Sequence, residues 1–387
     1  MTADSNAAVS LTPTGDPWLL TPGPLTTSPE VKQAMLHDYG SRDGTFIATN
    51  ARIRERLVSI IGGGNDYVCV PLQGSGTFVV EAMLGSFVPR DGKLLLLING
   101  AYGHRMHKIA AYQDLTAEVM EWAENELVDP AAVDARLAAD PAITHVAVVH
   151  CETTSGILNT LAEVGAVVKR HGRGLLIDAM SAFGAIPLTA AEVPFDAVVA
   201  SSNKCLEGVP GVGFCLARRS ALEITECNAT SLSLDLFDQW VQMEKTKQRR
   251  FTPPTHALLA FDRAFEEFEA EGGVAGRNRR YAENCRVLVE GMREMGFETL
   301  LPDRLQAPII VTFRTPADHN FVFEDFYAAI RDRGFVIYPG KLTVADSVRI
   351  GCIGRLGVDE IRRALAVIAD ALAAMNVTNC APAASAA

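Results

Sequence analysis

Two residues of opposite charge follow apolar runs of the sequence, at positions where a hydrophobic core needs neither of them. Asp178 ends the run GLLID at 174–178, and Lys204 comes shortly after DAVVAS at 196–201. Desolvation at the end of a core strand lowers the pKa of a lysine toward that of a useful nucleophile, whereas a buried carboxylate requires a cationic partner. The 26 residues that separate the two suit one strand–helix–strand step, which would bring both side chains to one edge of a sheet. Asp178 could also cap a following helix, and most lysines are merely solvated.

A glycine-rich turn and an aromatic residue complete a recognisable set. The turn Gly74-Ser75-Gly76-Thr77 opens a predicted helix, where backbone N–H groups, the helix dipole and the two hydroxyls favour a phosphate. The turn is neither G-x-G-x-x-G nor a Walker loop, so it does not indicate a nucleotide. Tyr102, in NGAYG at 99–103, could stack on a planar ring or belong to the core. Pyridoxal phosphate requires all four features: a lysine for a Schiff base, an acid for its ring nitrogen, a phosphate cradle and a stacking aromatic.

The elements that would position these residues follow an alternating pattern. Continuous apolar runs separated by helical stretches predict a mostly parallel sheet covered on both faces, with ligands at the carboxyl ends of its strands. After a long helical region at 257–296, a second series of strands and helices predicts a smaller α/β domain. The apolar runs of the first part are 68–70, 93–98, 145–150, 174–178 and 196–201, its helical stretches are 78–88, 103–112, 130–139 and 160–171, and the second part has runs at 307–313, 335–338 and 347–351 and helices around 321–333 and at 357–374.

Composition excludes several classes of protein. The 387 residues carry 35 Lys+Arg and 46 Asp+Glu, a net charge of −11, which argues against nucleic acid or an anionic membrane as the main partner. The eight cysteines form no C-x-x-C pair and the eight histidines no cluster, so no metal site is expected. The N-terminus has no basic and apolar regions of a signal peptide, and the apolar runs are too short to span a bilayer. We therefore expect a cytoplasmic protein.

The chain resembles class V of the fold-type I pyridoxal-phosphate-dependent aminotransferases, the small-subunit type, from about Leu19 to about Ala374. TPGPLTTS at 21–28 and SSNKC-x-x-GVPG from 201 onward resemble the branch of that family that acts on phosphonates. The other segments that carry the resemblance are LQGSGTFVVEAMLGS (72–86), NGAYGHRM (99–106), HCETTSGILN (150–159), IDAMSAFGAIP (177–187), RRFTPPTHALLAF (249–261) and VRIGCIG (348–354).

The resemblance implies a fold and a division of the chain. We expect an N-terminal extension at 1–18 and a large cofactor-binding domain with a mostly parallel central sheet at 19–265. A small C-terminal α/β domain at 266–375 and a loose tail at 376–387 would follow.

The resemblance also implies a role for each residue of the motifs. Lys204 would form the Schiff base with pyridoxal 5'-phosphate, and Asp178 would keep the ring nitrogen protonated. Thr252 would reach the phosphate in the neighbouring subunit, which implies a homodimer with shared sites. The remaining residues are Ser75, Gly76 and Thr77 at the phosphate, Tyr102 over the ring, Thr153 at the ring hydroxyl, Asn203 near the phosphate and Arg349 at the acidic group of the substrate.

The implied reaction is transamination from 2-aminoethylphosphonate to pyruvate, giving phosphonoacetaldehyde and L-alanine, in phosphonate catabolism. Lys204, once displaced by the amine, would act as the base at the reacting carbon. The planar guanidinium of Arg349 suits both a carboxylate and a phosphonate, although it could instead form a surface salt bridge. Arg42 is a second candidate for anion binding, or could simply pair with Asp43.

Three other functions remain open. An alanine– or serine–glyoxylate aminotransferase would use the same Lys204, Asp178 and Arg349. A lyase on this scaffold, such as a cysteine desulfurase, needs a nucleophilic cysteine on a mobile loop, and Cys352 and Cys380 are both poorly placed for that. A non-catalytic α/β binding protein would not depend on Lys204 at all.

Overall fold

The computed structural model describes residues 9–340 and 346–383. Its helices and strands alternate along most of the chain. The elements expected from the sequence keep close to their expected bounds, whereas the helices Gly44–Ile60 and Leu236–Thr246 were not expected. The helices are α1 Pro29–Gln33, α2 Gly44–Ile60, α3 Gly76–Phe87, α4 Ala101–Tyr112, α5 Pro130–Ala139, α6 Leu161–Arg170, α7 Arg219–Leu222, α8 Leu236–Thr246, α9 Thr255–Ala270, α10 Gly273–Glu294, α11 Phe323–Arg331 and α12 Val358–Ala374. The strands are β1 Trp18–Leu19, β2 Tyr67–Gln73, β3 Lys93–Ile98, β4 Thr116–Glu121, β5 Ile143–Val149, β6 Cys151–Glu152, β7 Ile157–Leu158, β8 Gly174–Asp178, β9 Ala197–Ser201, β10 Val212–Arg218, β11 Ile310–Arg314, β12 Phe335–Val336, β13 Tyr338–Pro339 and β14 Ser347–Gly351.

A seven-stranded sheet forms the centre of the molecule, in the order β2-β10-β9-β8-β5-β3-β4. Every pair in it is parallel except the two that β10 makes with β2 and β9. The expected mostly parallel sheet is therefore confirmed. The antiparallel β10 and the half-exposed edge strand β4 were not among the expected strands.

Helices cover both faces of this sheet because successive side chains of a strand point to opposite faces. In β3, Leu95 and Leu97 pack into one core with α2, α5, α6 and α9. The alternate residues Leu94, Leu96 and Ile98 pack into a second core with α3, α4 and α8. Strands buried on both sides in this way explain the continuous apolar runs of the sequence.

The last third of the chain builds a separate three-stranded antiparallel sheet, β11-β14-β13, with its own core against α10, α11 and α12. The N-terminal β1 pairs with β12, and Trp18 packs in that same core. The positions at which the chain divides into domains stay a prediction.

The C-terminal segment expected to be loose makes defined contacts as far as Ala381, whose carbonyl accepts the N–H of Ala317. Asp318 accepts hydrogen bonds from the backbone of Thr378 and Asn379, and Cys380 is 5% exposed. Residues 1–8 of the expected extension and 384–387 of the expected tail lie outside the described residues. Within 9–340 and 346–383, no helix is both long and apolar enough to cross a membrane.

Candidate active site

A cavity of about 460 Å³ lies at the carboxyl ends of β2, β8 and β9. It is the place that an open α/β sheet offers to a ligand. The structure brings seven of the residues predicted from the sequence together in its lining: Ser75, Gly76, Thr77, Tyr102, Asp178, Asn203 and Lys204.

The glycine-rich turn between β2 and α3 forms one wall of the cavity. Gly74 has φ +125°, a backbone conformation that residues with a side chain rarely adopt. This conformation turns the chain from the strand into the helix. A Cβ at Gly76 would lie 2.6 Å from the sulfur of Met180, so a larger residue at this position would displace that side chain. Ser75 is the N-cap of α3 but its side chain makes no capping bond. The hydroxyl and the first N–H groups of the helix are therefore available to a phosphate.

Lys204 lies in the loop that follows β9 and is held against the N-terminal segment. Its Nζ donates a hydrogen bond of 2.7 Å to the carbonyl of Pro22. Gly23 packs so closely on this side chain that any Cβ there would collide with it. Burial lowers the pKa of Lys204 to about 8, while the negative charge of Asp178 acts in the opposite direction. A neutral, nucleophilic amine is therefore accessible close to neutral pH.

Asp178 ends β8 with its side chain 5% exposed. Its Oδ1 accepts a 2.9 Å hydrogen bond from the N–H of Met180, a local Asx-type turn rather than the cap of a helix. Burial raises the pKa of Asp178 to about 6, while the Met180 N–H and the charges of Arg105 and Lys204 counteract the rise. A cationic group bound beside it would stabilise the ionised form.

Arg105 also lines the cavity, and the sequence interpretation missed it. Its guanidinium lies 4.8 Å from the centre of the Tyr102 ring, and Nη1 donates to Thr77 Oγ1 at 3.3 Å. The available signal was the spacing: residues three apart on a helix share a face, and Tyr102 and Arg105 are three apart on α4. Arg105 places a permanent positive charge beside the phosphate cradle.

Thr153 and Arg349 lie outside this lining and contact each other. Arg349 Nη1 donates to the Thr153 carbonyl at 2.8 Å, and its Nε donates to the Pro339 carbonyl at 3.0 Å. The arginine is 1% exposed, and among residues 9–340 and 346–383 it forms no ion pair, so it is not the surface salt bridge considered above. Burial lowers the pKa of Arg349. Among the described residues, the guanidinium donates its hydrogen bonds to backbone carbonyls, as suits a site for an anion.

Thr252 lines a different cavity, also of about 460 Å³, whose described lining is strongly basic. Arg42 belongs to it and does not pair with Asp43, because the Asp43 carboxylate accepts from Thr45 N–H as the cap of α2. No carboxylate stands among the described lining residues. The other cations there are Lys247, Arg249 and Arg250.

The residues of the first cavity fit pyridoxal phosphate. The cradle offers donors to a phosphate, Asp178 offers a carboxylate to a protonated ring nitrogen, and Lys204 offers an amine. Thr153 Oγ1 is buried without a hydrogen-bond partner among the described residues, which suits a hydroxyl that would bind a ring substituent. Within the same residues, no group of His, Cys, Asp and Glu side chains is arranged to hold a metal ion. Cys352 and Cys380 are both buried, and neither lines the cavity.

Comparison with known proteins gives a consistent result. The family model "Aminotransferase class-V" matches residues 33–350. The chain is 53% identical over 361 residues to 2-aminoethylphosphonate–pyruvate transaminase of Pseudomonas putida, covering 93% of this chain and 98% of that one. It is 53% identical over 367 residues to 2-aminoethylphosphonate–pyruvate transaminase 2 of Burkholderia lata, covering 95% and 98%. Among solved structures, the pyridoxamine–pyruvate aminotransferase of Mesorhizobium loti superposes with a TM-score of 0.84 at 26% identity, over 94% of each chain.

Proposed function

The chain belongs to the aminotransferase class-V family, and we propose that it transfers the amino group of 2-aminoethylphosphonate to pyruvate, giving phosphonoacetaldehyde and L-alanine. The observation that carries the proposal is the meeting of Lys204, Asp178 and the phosphate cradle in one cavity. The choice of substrate is supported by relatives that are 53% identical over more than nine tenths of the chain and bear that name.

We assign pyridoxal 5'-phosphate to this cavity. Its phosphate would accept hydrogen bonds from the turn Ser75-Gly76-Thr77 with Asn203 nearby, its ring would contact Tyr102, and Thr153 would bind the ring hydroxyl. When bound, the cofactor supplies an aldehyde that captures amines and a ring that accepts electrons. Asp178 holds a proton on the ring nitrogen by its negative charge.

Lys204 has two tasks in the proposed reaction. Its amine would hold the cofactor between turnovers, and Nζ, once free, would take the proton from the aminomethyl carbon of the substrate. The lowered pKa favours this second task, because a base must be neutral at the working pH. Contact with Pro22 and Gly23 restricts the side chain to the floor of the cavity.

Arg349 would bind the acidic group of the substrate. A buried arginine that forms no ion pair within 9–340 and 346–383, and that donates there to carbonyl groups, has charge left for a carboxylate or a phosphonate. Arg42 is the second candidate, since its charge is not used by Asp43.

We further propose a homodimer in which Thr252 completes the partner's phosphate site. In one chain Thr252 does not line the cofactor cavity, so a role at the phosphate requires a second copy. A cavity of mixed lining between the two sites supports an interface there: Phe78, next to the cradle, is 52% exposed and Phe251, next to Thr252, is 45% exposed, and both line it. Exposed aromatic side chains grouped in this way are typical of interaction surfaces.

An absorbance experiment tests the activity. We expect the protein loaded with pyridoxal phosphate to show a visible band that Lys204→Ala lacks. Adding 2-aminoethylphosphonate without a keto acid should convert the band to a near-ultraviolet one, and pyruvate should restore it.

β-Alanine is the matched control ligand, because it has the same amine and chain length with a carboxylate in place of the phosphonate. If alanine or serine converts the visible band but the phosphonate does not, the proposed substrate is wrong and the protein is a glyoxylate-type aminotransferase. A wild-type protein that shows no visible band with pyridoxal phosphate would refute the proposal that it is a pyridoxal-phosphate-dependent enzyme.

A further inference from the structure

Glu152 lies behind the cofactor cavity and is completely buried. Its Oε1 accepts hydrogen bonds from the backbone N–H of Tyr102 at 3.0 Å and of Gly103 at 2.8 Å. Its Oε2 accepts from the hydroxyl of Thr154 at 3.1 Å. Across residues 9–340 and 346–383, Glu152 has no cationic partner, which is unusual for a buried carboxylate. The backbone N–H groups that it binds both belong to the N-terminus of helix α4.

That terminus has no cap of its own. Helix α4 begins at Ala101, and its N-cap is Gly100, which has no side chain to accept the free N–H groups of the first turn. A Cβ at Gly100 would lie 2.6 Å from the carboxyl carbon of Glu152 and 2.6 Å from Thr154 Oγ1. The glycine therefore leaves room for a carboxylate supplied from a distant part of the chain.

The first turn of α4 carries two side chains that line the cofactor cavity. Tyr102 is one of the residues whose N–H the carboxylate holds, and Arg105 follows one turn later with its guanidinium over the Tyr102 ring. Arg105 in turn donates to Thr77 of the phosphate cradle. A displacement of the first turn would move the ring, the guanidinium and the cradle contact together.

We propose that Glu152 is a positioning residue whose carboxylate anchors the first turn of α4 and so places Tyr102 and Arg105 in the cofactor cavity. The proposal rests on the proposed function, because it gives the anchored side chains their task at the cofactor. Oε1 accepts the shorter bond from each of the two backbone N–H groups, and Oε2 adds only a longer contact of 3.4 Å with the N–H of Tyr102, so the anchor depends on the shape of the side chain more than on its charge. Burial raises the pKa of Glu152 to about 7, and a protonated carboxyl keeps the same acceptor.

Two variants separate shape from charge. Glu152→Gln keeps Oε1 for the two N–H groups, and its amide can donate to Thr154 Oγ1. Glu152→Ala removes every one of these bonds. Asp129→Ala is the matched control, because Asp129 Oδ1 caps α5 through the N–H of Ala131 at 2.9 Å, and α5 does not contribute to the cavity.

The first readout is amide hydrogen exchange of the peptide 99–106 in the protein without cofactor. We expect Glu152→Ala to accelerate exchange there by about tenfold, the factor expected for the loss of a helix cap worth about 1.4 kcal/mol. Glu152→Gln should exchange as the wild type does, and Asp129→Ala should accelerate exchange only around its own helix.

The second readout is the affinity for pyridoxal phosphate from titration of the visible band. We expect about tenfold weaker binding in Glu152→Ala and wild-type binding in Glu152→Gln and Asp129→Ala. Wild-type affinity in Glu152→Ala, or equal losses in the Ala and Gln variants, would overturn the proposal.

Should Glu152→Ala fail to fold, Glu152→Asp takes its place, since it retracts the carboxylate by one methylene. Wild-type exchange and affinity in that variant would equally overturn the anchor. If the wild type itself did not bind pyridoxal phosphate, the proposed function would fail while the exchange experiment still tested the anchor.

Discussion

Replacing Asp178 by asparagine removes one buried charge and little else. The two side chains have the same shape, and asparagine keeps an oxygen for the N–H of Met180 that Oδ1 now accepts at 2.9 Å. Among the residues that the structure describes, Asp178 forms no ion pair, and the charges of Arg105 and Lys204 act on it only through space. The substitution therefore measures how much the buried charge lowers the stability of the protein without cofactor, and how much it raises the stability with cofactor bound.

The raised pKa of Asp178 gives the size and the sign of this effect on stability. Burial raises the pKa of Asp178 from 3.8 to about 6, so the folded protein binds this proton more tightly than the unfolded chain does. The stabilisation is complete below pH 3.8 and is lost as the pH rises through about 6. A difference of about two units corresponds to roughly 3 kcal/mol. At pH 8 the cofactor-free Asp178→Asn protein should be more stable than the wild type by up to that amount, and near pH 4 the two should be alike.

Thermal unfolding measures both halves of the prediction at one fixed protein concentration. For 387 residues, about 3 kcal/mol corresponds to a rise in Tm of about 4 °C in the free Asn variant at pH 8. With pyridoxal phosphate the order should reverse, because only the wild type offers a carboxylate to the protonated ring nitrogen. The cofactor-induced rise in Tm should be clearly smaller in Asp178→Asn.

Asp196→Asn is the control for this experiment. Asp196 is also a carboxyl whose pKa is raised by burial, but it precedes β9 and lies at the opposite edge of the sheet, 3.5 Å from Arg218. Its variant should keep the wild-type cofactor-induced rise. A free Asp178→Asn protein no more stable than the wild type at pH 8 would refute the burial argument. An equal cofactor-induced rise would refute the role of Asp178 at the ring.

Two further predictions concern Lys204 and Thr252. Because burial lowers the pKa of Lys204 to about 8, its acylation in the cofactor-free protein, followed by mass spectrometry, should be half-maximal near pH 8, and a midpoint near 10.5 would contradict the desolvated amine. In Asp178→Asn this midpoint should fall, since the carboxylate raises it in the wild type. Thr252→Val should weaken cofactor binding, and mixing it with the inactive Lys204→Ala variant should restore activity, because one site of each hybrid dimer then has both residues intact. Absence of restoration, with hybrids shown by mass spectrometry, would place Thr252 outside the partner's site.

The sequence predicted those parts of the fold that a continuous apolar pattern marks. Strands β5, β8 and β9 are buried on both faces, so their residues are almost uniformly apolar and stand out. Strand β4 lies at the edge of the sheet, where half-exposed positions accept polar residues and the run TAEVME carries no clear signal. Strand β10 begins within the glycine-rich motif that follows Lys204 and was not among the strands expected from the sequence.

The candidate site divides in the same way. Asp178, Lys204 and the glycine-rich turn were predictable because each follows a strand, and the carboxyl ends of parallel strands meet at one edge. Contacts between segments that are distant in the sequence were not predictable. Tyr102 and Glu152 are 50 residues apart and Arg349 and Thr153 are 196 apart, so their hydrogen bonds depend on how strands and domains align in space.

The turn at 151–156 joins those distant contacts into one structure. The side chain of Glu152 holds α4, while the carbonyl of Thr153 holds Arg349. The carbonyl of Thr154 accepts the hydroxyl of Thr312 on β11, and the carbonyl of Gly156 accepts the N–H of Ala307. One short segment therefore fixes a wall of the cofactor cavity on one side and the proposed anion-binding arginine on the other. Because the same six residues contact both, a displacement of this turn would change the distance between the ring site and the arginine proposed to bind the acidic group of a substrate.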